Sequence, residues 1–189
     1  DHHEHGKTAL AMAKTPNLDK LAKMSEVGLF DPVEPGITPG SGPGHLSLFG
    51  YNPVEYNIGR GVLGALGIDF DLKIGDLAIR VNFCTISKDG NVLDRRAGRI
   101  SSEENKKLCD LIKQKINVPN EIEFFLETEK DHRACMILRG SNFDDRIDET
   151  DPQALGVAPF APKFQCETAI KTSSYLFSIL SEIKEILKD

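Results

Sequence analysis

Glycine and proline are concentrated in one part of this 189-residue chain. Half of them, 13 of 26, fall in the 33 residues from Pro35 to Gly67. Glycine permits positive φ angles and close backbone approach. Apolar residues between the glycines can pack, whereas the residues of solvated linkers are usually polar. The stretch therefore predicts an ordered functional loop rather than a flexible linker.

Ser41 stands among small residues in the segment Gly40-Ser41-Gly42-Pro43-Gly44. We expect a helical turn to begin near His45, which would place the hydroxyl at a loop-to-helix junction where backbone N–H groups converge on an anion. The spacing matches neither a P-loop nor a dinucleotide-binding motif. Pro39 also excludes the GxSxG elbow of hydrolases. The motif alone thus indicates a phosphate-facing serine without naming a reaction.

The charge balance and the hydropathy limit the partners of this chain. Lys and Arg total 23 against 29 for Asp and Glu, which gives a formal net charge of −6, whereas a dedicated nucleic-acid binder normally carries a basic face. The longest uncharged stretch, which starts at Pro35, is too rich in glycine and proline to span a membrane. No signal peptide opens the sequence. We expect a cytoplasmic protein with a small-molecule ligand and with neither nucleic acid nor membrane as a partner. The sequence does not predict its oligomeric state.

The four cysteines predict no metal site. They form no CxxC pair, and zinc sites usually need such close pairs. We interpret them as small buried hydrophobes in a reducing compartment; they are Cys84, Cys109, Cys135 and Cys166.

An amphipathic helix is predicted before the glycine-rich stretch. Thr15 can cap it, Pro16 suits its first position and Gly28 can end it. Its buried stripe would consist of Leu18, Leu21 and Ala22.

Beyond Gly75 the sequence alternates between strand and helix patterns. Residues 77–83 alternate like a strand, and residues 92–95, after a turn signal, predict its partner. Ser101 begins a capping box that starts a helix. Two further strands are expected at 122–126 and 134–138, and a closing helix at 168–187. From residue 77 onward we therefore predict a ββαββα layer, with helices on one face of an antiparallel or mixed sheet. His132 is interpreted as a surface turn residue.

Arginines form the second chemical cluster. Arg95, Arg96 and Arg99 place three of the chain's eight arginines within five residues, and guanidinium groups hold phosphate or carboxylate in bidentate geometry. The alternative is a solvated charged turn. Gly98 favours a ligand site because it lets the backbone bend, and so do two residues on the expected neighbouring strand, Arg80 and Asn82. A small anion is predicted, since one short cluster cannot follow a polyanionic backbone.

Several segments of the chain, taken together, match one known family. They are Lys14-Thr15-Pro16-Asn17-Leu18-Asp19, Pro39-Gly40-Ser41-Gly42-Pro43-Gly44-His45-Leu46, Gly59-Arg60-Gly61, Ala65-Leu66-Gly67, residues 76–83, residues 94–100, and Leu138-Arg139-Gly140 with Asp151-Pro152. These segments resemble the archaeal-type, 2,3-bisphosphoglycerate-independent phosphoglycerate mutases of the alkaline-phosphatase superfamily. The resemblance implies an α/β fold. Residues 1–76 would form a partial alkaline-phosphatase-like catalytic domain, and residues 77–189 an inserted α+β substrate-binding domain.

The resemblance also implies the roles of individual residues. Ser41 would be the nucleophile and a ligand of two divalent metal ions, manganese or zinc or else magnesium, whose remaining ligands would lie outside this chain. The residues that would bind the phosphoglycerate are Arg95, Arg96, Arg99, Arg80, Asn82, Arg60 and His45.

The reaction implied is the glycolytic interconversion of 3-phosphoglycerate and 2-phosphoglycerate through a phosphoserine intermediate. Family members begin with a strand that ends in a metal-binding aspartate, and they continue beyond the point where this chain stops. We therefore expect a fragment that is inactive alone. Three alternatives stay open: another phosphomutase of the superfamily, a phosphatase of the superfamily, and a non-catalytic fragment that binds a phosphorylated ligand.

Overall fold

The computed structural model of the chain describes residues 6–37, 39–56, 58–140 and 142–188. It divides into two compact units, Asp1–Val54 and Glu55–Asp189. The predicted division lies later, between residues 76 and 77, so the structure assigns residues 55–76 to the second unit. The separate functions of the two parts stay a prediction. Helices and strands occur together, in agreement with the predicted α/β class.

The first unit contains three short helices, α1 (Ala9–Met12), α2 (Pro16–Lys23) and α3 (Ser41–Leu48). Pro16 occupies the first turn of α2 as predicted, but the helix ends at Lys23 rather than near Gly28. The Thr15 hydroxyl does not cap the helix; it donates to a carboxylate oxygen of Asp19 at 3.1 Å.

The predicted buried stripe of α2 is wrong. Leu18 and Leu21 are 58% and 60% exposed, and none of the residues of α1, α2 or α3 is buried. An amphipathic pattern leads to burial only where another element covers the apolar face. Within the described part of the first unit, no element does so.

The second unit contains the strands β1 (Leu77–Asn82), β2 (Thr85–Ile86), β3 (Val92–Asp94), β4 (Glu123–Lys130) and β5 (Arg133–Arg139). Three of them form an antiparallel sheet in the order β1-β5-β4, and β2 pairs with β3 in a separate hairpin. The predicted pairing of residues 92–95 with residues 77–83 is therefore wrong. The predicted turn joins β3 to the short strand β2, which is nearer in sequence than β1. β1 pairs with β5 instead.

Two long helices, α5 (Ser102–Lys115) and α6 (Ile170–Ile186), cover one face of the three-stranded sheet. The predicted cap of α5 is confirmed, since the Ser101 hydroxyl accepts a hydrogen bond from the amide of Glu104 at 3.2 Å. The core between sheet and helices contains residues such as Cys109, Ile112, Leu126, Met136, Leu138 and Ile179. No helix within the described ranges has both the length and the apolar character needed to cross a membrane.

A further helix, α4 (Arg60–Gly67), packs on the opposite face of the sheet through Gly61 and Gly64, which are buried. A Cβ atom on Gly61 would lie 1.9 Å from the carbonyl oxygen of Ala78 in β1. The Cys135 thiol in β5 donates to the carbonyl of Gly61 at 3.5 Å. From residue 77 onward the helices α5 and α6 share one face of the sheet, as predicted. The opposite face is covered by α4, which precedes that segment and approaches closely because of its glycines.

The cysteine prediction holds for two of the four residues. Cys109 and Cys135 are buried, whereas Cys84 is exposed and Cys166 is partly exposed. Burial raises the pKa of the Cys135 thiol to about 11. Cys84 lies beyond the end of β1, where the alternation of the strand no longer determines whether a side chain is buried.

Candidate functional site

Ser41 is the first residue of α3, and it is exposed. The prediction of a helix that begins near His45 was therefore one turn too late. Gly40 is the N-cap and offers no side-chain cap. The first amides of a helix have no partner within it, and the positive end of the helix dipole favours an anion at this position. The Ser41 hydroxyl makes no hydrogen bond with the described residues, so it is available for chemistry.

The imidazole of His45 lies along the same helix. Its Nδ1 is 2.6 Å from the carbonyl oxygen of Ser41. Because a carbonyl oxygen can only accept, this bond requires a proton on Nδ1. The contact fixes the ring beside the first turn of α3. A role for His45 in substrate binding stays a prediction.

Asp94 holds the shape of the arginine turn, which we define as residues 94–99. Its two carboxylate oxygens accept hydrogen bonds from the amides of Arg96 and Gly98, each at 2.8 Å. These two bonds lower the pKa of the Asp94 carboxyl. Ala97, Gly98 and Arg99 all have positive φ angles, of 47°, 63° and 58°. The bend predicted at Gly98 is therefore present, and it extends to two residues that adopt such angles only when their surroundings hold them there.

The three arginines of the turn differ in what they contact. Arg95 forms a bidentate ion pair with Asp151, with nitrogen–oxygen distances of 3.1 and 2.7 Å. Arg96 and Arg99 are exposed, and their guanidinium groups make no hydrogen bond or salt bridge with the described residues. Arg95 therefore anchors the turn, while Arg96 and Arg99 are free to hold an anion.

The other predicted binding residues of the second unit lie on α4 and β1. Arg80 Nε is 3.7 Å from a carboxylate oxygen of Glu129, and neither atom has a hydrogen-bond partner among the described residues. Asn82 is exposed at the end of β1, and Arg60 is exposed at the start of α4. Their roles in substrate binding stay predictions.

His132 is buried, contrary to its interpretation as a surface turn residue. It lies in the turn between β4 and β5 and is only 5% exposed. Its carbonyl accepts from the amide of Phe83 at 2.8 Å. The sequence did carry a signal: Asn105 is a polar residue in the buried stripe of α5, with Cys109 and Ile112. A polar side chain at such a position requires buried hydrogen-bond partners, and here these are the backbone carbonyls on either side of His132.

The described residues do not by themselves fit a metal centre. No group of three or more His, Cys, Asp or Glu side chains that could hold a metal ion occurs among them. The predicted metal pair would therefore need its other ligands from outside the described residues, and metal binding through Ser41 stays a prediction.

A cavity of about 290 Å³ lies at the start of β1. Its lining includes Asp76, Phe143 and Arg146. Three of its four ionic groups pair within the unit, since Asp76 binds Arg139 and Arg146 binds Asp144. The fourth, Asp145, is a carboxylate and would repel an anion. None of the predicted site residues lines it. The arginine turn, with its unpaired guanidinium groups, is therefore the better candidate for an anion site in the second unit.

Comparison with solved structures first identifies the class of protein. A cofactor-independent phosphoglycerate mutase from Thermoplasma acidophilum superposes with a TM-score of 0.65 at 36% identity, over 81% of this chain and 40% of that one. A protein from Pyrococcus horikoshii gives the same TM-score at 28% identity, over 94% of this chain and 38% of that one.

Residues 22–189 match the family described as 2,3-bisphosphoglycerate-independent phosphoglycerate mutase, and the chain belongs to this family. This confirms the resemblance drawn from the motifs. Two relatives carry the name "probable 2,3-bisphosphoglycerate-independent phosphoglycerate mutase". The one from Thermus thermophilus is 48% identical over 97% of this chain and 45% of its own length. The one from Aquifex aeolicus is 44% identical over 98% of this chain and 47% of its own length. The chain thus spans about half the length of the curated relatives it matches.

Proposed function

We propose that this chain, as part of a protein of its relatives' length, interconverts 3-phosphoglycerate and 2-phosphoglycerate. The observation that carries the proposal is the exposed, unbonded hydroxyl of Ser41 at the start of α3, in a chain of this family. The 189-residue chain alone is expected to be inactive.

Ser41 is the nucleophile of the proposed reaction. Its oxygen forms a bond to the phosphorus of 3-phosphoglycerate while the bond from phosphorus to the 3-oxygen breaks, and the serine proton leaves as the 3-oxygen gains one. In the second transfer the 2-oxygen bonds to the phosphorus while the bond from phosphorus to the serine oxygen breaks, and the 2-hydroxyl loses its proton as the serine oxygen regains one. The N–H groups of Ser41 and Gly42 at the start of α3 stabilise the phosphate while it is attached to Ser41; Pro43 has no N–H, and the Gly44 amide already donates to the Gly40 carbonyl.

Arg96 and Arg99 are proposed to hold the glycerate while it reorients between the two transfers. Their guanidinium groups are free of hydrogen bonds and salt bridges with the described residues, and bidentate bonds to carboxylate or phosphate match their geometry. The bonds from Asp94 to the backbone keep the turn in shape before the ligand arrives. Such preorganisation reduces the entropy lost on binding.

A pair of divalent metal ions, manganese or zinc, is also proposed, with Ser41 as one ligand. When bound, such ions would supply Lewis acidity at the phosphoryl group. Their remaining ligands would come from outside the described residues.

Ser41→Ala in a protein of full family length tests the proposal. We expect mutase activity to fall by at least about 1,000-fold, because the nucleophile is lost, and phosphoserine to disappear from the corresponding peptide in mass spectrometry. Ser47→Ala, the same change on the same helix, is the control and should keep both signals. Turnover that survives in the Ser41→Ala protein would exclude Ser41 as the nucleophile.

A phosphatase of the same superfamily is the second candidate. The exposure of Ser41 favours it, since a phosphoserine open to water hydrolyses unless the site closes. Measuring inorganic phosphate and 2-phosphoglycerate in one reaction separates the two functions, because a mutase forms the isomer without net release of phosphate.

A further inference from the structure

The loop of residues 151–157 is bound by its backbone to the first residue of β3. The amide of Val92 donates to the carbonyl of Val157 at 2.9 Å, and the carbonyl of Val92 accepts from the amide of Gly156 at 2.8 Å. Val92 is buried, with only 2% of its surface exposed. The loop is therefore attached to β3 two residues before the arginine turn begins.

A side chain of the same loop binds the arginine turn directly. Asp151 accepts hydrogen bonds from Nε and Nη2 of Arg95 at 3.1 and 2.7 Å, and its Oδ1 also accepts from the amide of Gln153 at 2.8 Å. The hydrogen bond from Arg95 lowers the pKa of the Asp151 carboxyl, so both partners are charged at neutral pH. Bidentate pairing of this kind fixes the orientation of the two groups as well as their distance.

The pair supports a turn whose backbone is strained. The hydrogen bonds that Asp94 accepts lie within the turn. Ala97 and Arg99 have positive φ angles, which residues other than glycine keep only where their surroundings hold them. Among the described residues, no second side-chain hydrogen bond or salt bridge connects residues 95–99 with another segment. Asp151 is therefore the side chain that fixes the turn relative to the rest of the second unit.

The pair also divides the three arginines of the turn into two kinds. The charge of Arg95 is balanced by Asp151, whereas the guanidinium groups of Arg96 and Arg99 keep their donors for a ligand. Arg96 and Arg99 are attached to backbone whose place is set at Arg95, one and four residues earlier. Groups that are held in place before a ligand arrives lose less entropy when they bind it.

We propose that Asp151 is a positioning residue of the anion site that Arg96 and Arg99 form. It binds Arg95 as an anchor and so keeps the arginine turn in the shape that holds the substrate. The substrate and the role of the two arginines rest on the proposed function. Asp151 itself stays out of contact with the ligand, because its carboxylate would repel the anionic groups of a phosphoglycerate.

Calorimetric titration of 3-phosphoglycerate into the full-length Ser41→Ala protein tests this role, because binding is then measured without turnover. Asp151→Asn should weaken binding by about fivefold or more, since the bidentate pair is lost. Arg95→Gln should weaken it to the same extent. The variant with both changes should bind no more weakly than either single variant, because the two residues act as one unit.

Two controls separate positioning from other effects. Glu149→Gln removes a negative charge from an exposed position two residues away and should bind 3-phosphoglycerate within about twofold of the parent. Urea unfolding of each variant reports stability separately. A purely structural role would lower the free energy of unfolding and leave the dissociation constant of the folded protein unchanged. Should Asp151→Asn not fold, Arg95→Lys takes its place, because lysine keeps the charge but cannot form the bidentate pair.

Three results would overturn the proposal: unchanged binding in Asp151→Asn, additive losses in the double variant, and tighter binding in Asp151→Asn. The last would mean that Asp151 competes with the ligand for Arg95, which would then be a binding residue itself. If the wild-type protein forms no 2-phosphoglycerate, the mutase assignment fails, and titration of the same variants with inorganic phosphate still tests the role of Asp151. A parent protein that binds neither 3-phosphoglycerate nor phosphate would overturn it as well.

Discussion

Asp76 and Arg139 connect the segment before β1 with the end of β5. Two nitrogens of Arg139 donate to the two carboxylate oxygens of Asp76 at 2.8 and 2.7 Å, and the Asp76 side chain is only 2% exposed. The guanidinium group also lies 5.2 Å from the ring centre of Phe125. The hydrogen bonds from Arg139 lower the pKa of the Asp76 carboxyl below its usual 3.8.

This ion pair predicts a pH dependence of stability. A carboxyl whose pKa is lower in the folded than in the unfolded state stabilises the fold fully above its unfolded pKa, and that contribution is lost as the pH falls through the folded pKa. The free energy of unfolding, measured by urea titration, should therefore decline below about pH 4. Asp76→Asn should be less stable than wild type at neutral pH and show a shallower decline. Asp89→Asn, in an exposed turn, is the control; an equally steep decline in Asp76→Asn would contradict the prediction.

Short motifs in the sequence mark some single residues as candidates for the site. Ser41 is marked by the small residues around it and the arginines of the turn by their clustering, and their roles stay predictions. The burial of His132 was not predicted because it depends on contacts with residues far away in the chain, such as Asn105. Arg133 lies opposite Asn82 only once β5 has paired with β1, and no local pattern contains that pairing.

Helix α4 depends on glycine for its contact with the sheet. Gly61→Ala should lower the free energy of unfolding by about 3 kcal/mol or more, because its Cβ would lie 1.9 Å from a backbone oxygen that cannot move aside. Gly67→Ala, at the other end of the helix, meets nothing within 4 Å and should be neutral or stabilising by about 0.5 kcal/mol. Urea unfolding of the two variants provides the comparison, and equal stabilities would exclude the close packing of α4.

The helices and strands with strong local sequence signals were predicted correctly. The pairing between strands was not. The cap at Ser101, the strands β4 and β5 and the helix α6 follow from short-range patterns, and the structure confirms them. The pairing of β1 with β5 joins residues more than fifty positions apart, for example Leu77 with Leu138. The sheet order therefore follows from the packing of both faces rather than from any one segment.

The two units differ in how much of their surface is buried. Every buried hydrophobic residue of the described chain is Ala65 or later, and α1 to α3 bury none of their residues. Segments with few buried contacts open at low free-energy cost.

Limited proteolysis of the 189-residue chain should therefore cleave the first unit first. We expect a resistant fragment that begins near Glu55, identified by its intact mass, because the sheet and its helices resist local opening. Cleavage within β4 or β5 at the same rate would contradict this expectation.

The sheet order also constrains how the second unit forms during synthesis. β5 lies between β1 and β4, so β1 leaves the ribosome long before the strand that pairs with it. Until residue 139 has emerged, α4 lacks the part of its packing surface that β5 provides, and the edge of β1 that pairs with β5 stays open. Such an edge is prone to wrong pairing. It stays exposed on the nascent chain while more than fifty residues are translated, from the end of β1 to the end of β5.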